Sequence, residues 1–433
     1  MSEGKRRVFT NARLLDAASG RDERGALLVD GHMIADVGPR VFADGIPRDI
    51  EVIDCRGLCL APGLVDLRVF TGEPGEEHKE TLASAGAAAA VGGVTTIVTM
   101  PDTDPVIDDV ALVEFVARRA RDTADVHVLP TAAITKGLKG EAMTEVGLLK
   151  AAGAVALTDG SHTVANAQVM RRTLAYASSF DMLVMQHAQE PTLGKSGHMN
   201  EGEVATRLGL AGIPTEAETI MVERDIRLVE MTGARYHVAS ISTATAIDAV
   251  RRAKARGLPV TCAVAPYHFA LNENAVGAYR TFAKTSPPLR TEEDRLAVIE
   301  GLRDGTIDVI ASCHDPQDQD SKRLPFALAE DGVIGLETLL PVSLELHHND
   351  RMPLLDVLRA LTARPAQLLG LRAGALKPGM PADLIVFDLN LPWVVDPGEF
   401  RSKSKNTAFE DRPVQGRAVM TVVDGKIVHR HGF

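Results

Sequence analysis

Between residues 64 and 311 the chain repeats one unit, a short apolar run of strand character followed by a longer stretch with helical periodicity. The strand-like runs fall at 64–69, 94–100, 126–133, 154–158, 182–186, 235–239, 259–264 and 307–311. Helical patterns lie between them, as at 111–123, 165–178, 243–256 and 292–303. Eight such strands with intervening helices predict a parallel (β/α)8 barrel rather than a doubly wound open sheet. The flanks have a different character. Residues 26–37 are two apolar runs joined by Asp30-Gly31, and 418–428 repeat the device at Asp424-Gly425. Asp-Gly supplies the positive φ angles of a type I′ hairpin. A further short strand covers 383–388, so the two chain ends are expected to share one small β-sandwich. The predicted division is 1–60 with 373–433 for the sandwich and 61–372 for the barrel. The polar segment 399–413 reads as a surface loop.

A chain of 433 residues suits a large barrel with a smaller module. Its net charge of −11 argues against a nucleic-acid or anionic-membrane surface. Cys55, Cys59, Cys262 and Cys313 form no C-x-x-C pair, which argues against a disulfide framework or zinc knuckle. The N-terminus leads into no apolar signal core, and no apolar run approaches the ~18 residues of a membrane helix. The cytoplasm is the expected location, and a homo-oligomer the expected assembly.

The first barrel strand sits in Ala61-Pro62-Gly63-Leu64-Val65-Asp66-Leu67-Arg68-Val69-Phe70-Thr71-Gly72-Glu73-Pro74-Gly75. This stretch resembles the first strand of the dihydroorotases of the amidohydrolase superfamily, P-G-x-x-D-x-H-x-H-x-R-E-P-G. In that family the two histidines bind a catalytic zinc. Here they are Arg68 and Phe70, and the arginine of R-E-P-G is Gly72. The resemblance runs from about Asn11 to the C-terminus, so each family position can be read in turn. The family's T-D-D-G, whose second aspartate bridges two metals, is similar to Thr158-Asp159-Gly160-Ser161. That puts Gly160 at the bridge, with Asp159 a possible ligand only if the loop slides by one residue. His187, in Gln186-His187-Ala188-Gln189-Glu190, keeps its ligand position. The metal-binding histidine of Y-H-I-C-H-V-S-T is Ser240, and the first histidine of that motif is His237. The aspartate of T-D-H-A-P-H, ligand and proton shuttle in the family, is Cys313, followed by His314 and, at the late histidine, Gln317. Among the six ligand positions only His187 remains in register.

The family's substrate contacts differ too. The asparagine of M-P-N-T is Asp102, and that of N-P-P-L-R is Ser286. With Gly72 in place of a cation and Asp102 in place of a neutral amide, a dicarboxylate ligand would be repelled. Framework pieces persist at His78-Lys79-Glu80-Thr81, Gly92-Gly93-Val94-Thr95-Thr96, Pro287-Pro288-Leu289-Arg290 and Gly335-Leu336-Glu337-Thr338.

Each residue has a plain alternative. His187, His237 and His314 can be buried structural imidazoles. Cys313 and His314 are adjacent on a strand and point to opposite faces, so they do not form a thiolate–imidazole pair. Arg68 facing Asp159 suggests a fixed ion pair in place of the metal. The resemblance implies a dihydroorotase homologue with no catalytic residue in place and no cofactor. The partner it implies is aspartate transcarbamoylase, because some members lacking the zinc ligands serve that enzyme. The competing reading is an active cyclic amidohydrolase, on dihydroorotate or a hydantoin- or allantoin-type amide, with zinc in a reduced or rearranged site.

Overall fold

The computed structural model describes residues 6–43 and 45–432. Eight parallel staves close into a barrel: Leu64–Val69, Val94–Thr99, His127–Pro130, a bridge at Leu157, Val184–Gln186, Tyr236–Val238, Val260–Val264 and Val309–Ile310. A bridge between Val69 and His314 joins the last stave to the first. The expected strand 154–158 contracts to one bridging residue, yet its backbone remains in the wall. Val155 donates to Pro130, Leu157 to Leu183 and Thr158 to Ala132.

The outer helices Val110–Thr123, Ala167–Ser178, Ala244–Ala255 and Glu292–Arg303 lie where the periodicity places them. Their starts are fixed by Asp109, Asn166, Thr243 and Thr291, whose side chains accept first-turn N–H groups. Such caps contribute about 1 kcal/mol each. The alanine-rich helix Leu82–Gly92 ends at Gly93 with φ +81°, where glycine avoids the left-handed penalty.

Both termini build one eight-stranded sheet. Its order is Lys426–Arg430, Pro413–Val423, Leu384–Val394, Cys59–Pro62, Arg7–Asp16, Arg21–Asp30 and Met33–Gly38, with Glu51–Asp54 paired on Arg7–Asp16. The sheet folds over its own core, which includes Phe9, Leu27, Ile34, Leu384 and Met420. Ile385 and Phe387 belong instead to the barrel core, so the sandwich and barrel share buried surface. The C-terminal hairpin turns at Asp424-Gly425, both with positive φ as expected. The first hairpin differs by one residue. Asp30 pairs with Met33, so the loop is Gly31-His32, with positive φ at Gly31 alone.

The segment 399–413 is not a solvated loop. Ser402, Ser404, Asn406 and Thr407 are buried in it. Asn406 bonds Gln317 N–H, Asp315 O and Gly332 O, and Ser402 donates to Glu80. Its polar residues are satisfied by the barrel rather than by water. No helix among the described residues is long and apolar enough to cross a membrane.

Where the sandwich meets the N-terminal end of the barrel, His127 lies 3.2 Å from Asp383 and 3.9 Å from Asp424. The bond to Asp383 raises the His127 pKa above its ordinary 6.5. A raised histidine stabilises the fold fully below its unfolded value, and that stability is lost as pH climbs through the folded value. Stability is therefore expected to fall as pH rises above 6.5. Urea unfolding of the parent and His127→Gln across pH 5.5–8.5 checks this, the variant giving the flatter curve.

Candidate active site

The C-terminal ends of the staves surround a cavity of about 410 Å³. In a barrel of this kind that face carries the functional loops. The first stave delivers Arg68, 2% exposed, into the base of the mouth. Its guanidinium lies 3.8 Å from Cys313 Sγ and 3.5 Å from Gly160 O, and 5.2 Å from the centre of the Phe70 ring. Its Nε has no partner. Burial opposes the Arg68 charge, yet its pKa stays above the ordinary value and the guanidinium is charged at neutral pH. Cys313 is pushed up, chiefly by burial, so the thiol is not a thiolate nucleophile at neutral pH.

The Arg68–Asp159 pair expected from the sequence does not form. Asp159 turns toward the loop after the third stave, where Thr135 N–H and Oγ1 donate to it at 2.9 and 2.6 Å. Two local donors satisfy the carboxylate, and burial raises its pKa. The space beside Gly160 is taken by another acid. Gly160 has φ +64°, and a Cβ there would lie 2.2 Å from Asp102 Oδ1. Asp102 is anchored by Ser161, whose N–H and Oγ donate to Oδ2 at 3.0 and 2.7 Å. Gly72 is held in the same way: φ is +67°, and a Cβ would lie 2.6 Å from Glu76 O. The loop is shaped around glycine at this position.

His187 lines the cavity, its Nε2 3.2 Å from Ser286 Oγ and its Nδ1 without a partner. Burial, then Arg68, lowers its pKa to about 3, so the ring is neutral. Gln317 also lines the cavity; its amide N–H donates to Asp315 at 2.8 Å and its Oε1 has no partner. Ser240 is buried and its hydroxyl makes no full hydrogen bond.

Two expected pocket residues do not line the cavity. His237 is bonded to Thr261 at 2.9 Å, and its burial lowers its pKa to about 3. It precedes Ser240 by three residues, which at strand rise sets it about 10 Å deeper in the wall. His314 points away from Cys313 because the backbone turns at Cys313, φ +48°, rather than by strand alternation. Its Nδ1 accepts from Gly335 N–H at 3.2 Å, and its Nε2 lies 3.4 Å from Glu80. Asp315, between His314 and Gln317, was given no role on sequence, yet it lines the cavity. Burial, then Asp102, raises it to about 7. An aspartate next to a histidine carries no mark of this.

The only cluster of three potential metal-ligating side chains among the described residues is His127, Asp383 and Asp424. It lies at the N-terminal end of the barrel, away from this mouth.

The model of the dihydro-orotase-like family matches residues 57–246, and that of the amidohydrolase family matches 345–429. The dihydroorotase of Anaplasma phagocytophilum (strain HZ) is 48% identical over 426 residues, covering 98% of this chain and 95% of that one. The chain belongs to the dihydroorotase family. The dihydroorotase of Syntrophotalea carbinolica (strain DSM 2380 / NBRC 103641 / GraBd1) is 45% identical over 423 residues, covering 98% and 99% of the two chains. Among solved structures, the L-hydantoinase (dihydropyrimidinase) from Arthrobacter aurescens superposes with a TM-score of 0.88. It is 24% identical and covers 99% of this chain and 96% of that one, a likeness of fold. As in the family, this dihydroorotase homologue has an amidohydrolase barrel with a β-sandwich, and its mouth is where the family's site lies.

Proposed function

We propose that this chain is a dihydroorotase-like protein of pyrimidine biosynthesis that has lost the zinc ligands and is catalytically inactive. In this reading it serves as a structural or regulatory partner of aspartate transcarbamoylase, with modules 1–60 plus 373–433 and 61–372. The observation that carries the reading is the buried Arg68 guanidinium. It stands at a first-strand ligand position, and a fixed cation repels a metal ion instead of donating to it.

The remaining donor set does not fit a binuclear zinc centre. Phe70, Gly160 and Ser240 offer no imidazole or carboxylate, and Cys313 is held as a thiol. Asp159 is committed to Thr135, leaving His187 as the one buried imidazole at the cavity, with His162 exposed at its rim. A catalytic zinc ordinarily takes three protein ligands. A neutral thiol also cannot shuttle a proton as the family's aspartate does.

What the residues do supports a scaffold. Arg68, Gly160 and Cys313 close the base of the mouth, and Glu80 ties it to Ser402 and Lys403 of the 399–413 segment. The expected result is no hydrolysis of dihydroorotate above the buffer rate, with aspartate transcarbamoylase from the same cells retained on the immobilised protein. Turnover by the purified chain overturns the inactive reading. Failure to retain that enzyme overturns the partner.

A further inference from the structure

The mouth cavity is lined by Glu76, Asp102, Asp315, Glu330 and Asp331, against one ammonium, Lys79, which is paired with Glu76 at 2.9 Å. The nearby cations stand behind this lining and donate mainly to backbone, although Lys284 Nζ also lies 3.8 Å from Asp331. Lys284 Nζ bonds Ala329 O at 2.5 Å, and Lys322 Nζ bonds Glu330 O at 2.6 Å and Thr281 O at 3.2 Å. Arg68 faces Cys313 and Gly160. Glu76 and Asp331 thus each have a lysine partner, while Asp102 and Asp315 make no ion pair within 4.0 Å among the described residues.

A second observation is independent of charge. Two acceptors on the lining are buried and have no donor, Asp102 Oδ1 and Gln317 Oε1. Gln317 is 9% exposed, and its orientation is set by its N–H bond to Asp315. The carboxylates also sit where only glycine leaves room. A Cβ at Gly160 would be 2.2 Å from Asp102, and one at Gly332 2.4 Å from Asp315. Buried acceptors without donors cost free energy unless a ligand supplies the N–H groups.

We propose that this cavity binds a small organic cation rich in N–H donors, a guanidinium or a primary ammonium, in place of an anionic ring. The inference rests on the zinc-free reading of the same site. Asp102 Oδ1 and Gln317 Oε1 take the cation's N–H groups, and the Asp102 carboxylate supplies the opposing charge.

Isothermal titration of the full chain tests this, with agmatine as the guanidinium probe, putrescine as the ammonium probe and dihydroorotate as the anionic probe. The expected result is saturable one-to-one binding of agmatine or putrescine and none of dihydroorotate. Asp102→Asn, which keeps an acceptor for Ser161, and Gln317→Leu should each weaken the cation about tenfold. No binding of either cation, binding unchanged in both variants, or binding of dihydroorotate overturns the proposal. Zinc uptake with turnover removes the parent reading whatever agmatine does. A zinc-free, inactive chain that ignores both cations removes this inference alone.

Discussion

Gly160→Asp, which puts a second carboxylate beside Asp102 at the mouth, is expected to cost the protein about 3 kcal/mol of stability. Two effects add. The residue sits at φ +64°, a left-handed conformation that aspartate tolerates better than most side chains, as Asp424 does, so this contributes at most about 1 kcal/mol. Its Cβ would also lie 2.2 Å from the Asp102 carboxylate, forcing displacement and setting like charges together, for about 1–3 kcal/mol more. The double variant Gly160→Asp/Asp102→Ala should recover about 1–2 kcal/mol, because the two residues compete for one space. Urea denaturation at pH 7 reads both. A single variant as stable as the parent would mean that Asp102 does not hold that space.

The second large effect is predicted away from the mouth, at Glu218. This carboxylate is 1% exposed and accepts from Ser242 N–H and Thr243 N–H at 2.9 and 3.0 Å, and from both hydroxyls. It also faces the buried Arg290, 3.8 Å away. Arg290 is held further by Asn200 Oδ1 and Ile213 O. Glu218→Ala strips four donors of their acceptor and removes the nearest of the carboxylates, Glu218, Asp294, Glu216 and Glu273, that offset the buried guanidinium. Breaking such a pair costs about 3–5 kcal/mol. Glu218→Gln, which keeps an acceptor oxygen, should lose less. Equal losses in the two variants would assign the effect to packing rather than to hydrogen bonding and charge.

The barrel was legible because its staves are apolar runs between capped helices, and those patterns follow from burial and local hydrogen bonding. Asp109, Thr243 and Thr291 mark helix starts in the sequence as they do in the structure. The fourth stave was less so, since one bridging residue and a few backbone bonds do the work of a strand. The 399–413 segment was misread because composition cannot tell a serine facing water from Ser402 facing Glu80.

At the mouth, the family resemblance picks out residues one by one, and Phe70, Gly72, Asp102, His187, Ser286 and Gln317 do line the cavity. Their mutual arrangement was not legible. Arg68 and Asp159 are suitable partners by charge, but Thr135 offers Asp159 two donors closer to hand. Asp102 over Gly160 pairs residues on different loops, and nothing local in either segment signals the contact. The depth of His237 in the wall follows from strand geometry once the staves are placed, whereas the outward turn of His314 follows a left-handed Cys313 that no local pattern marks.

The most direct test of the account is the zinc content of protein purified without chelator, incubated with zinc and desalted. It is best measured on the His127→Ala variant, so that the His127, Asp383 and Asp424 cluster contributes nothing. With His187 the one buried imidazole lining the cavity, less than about 0.2 zinc per chain is expected. One or two zinc ions retained there, and released by His187→Ala, would contradict it.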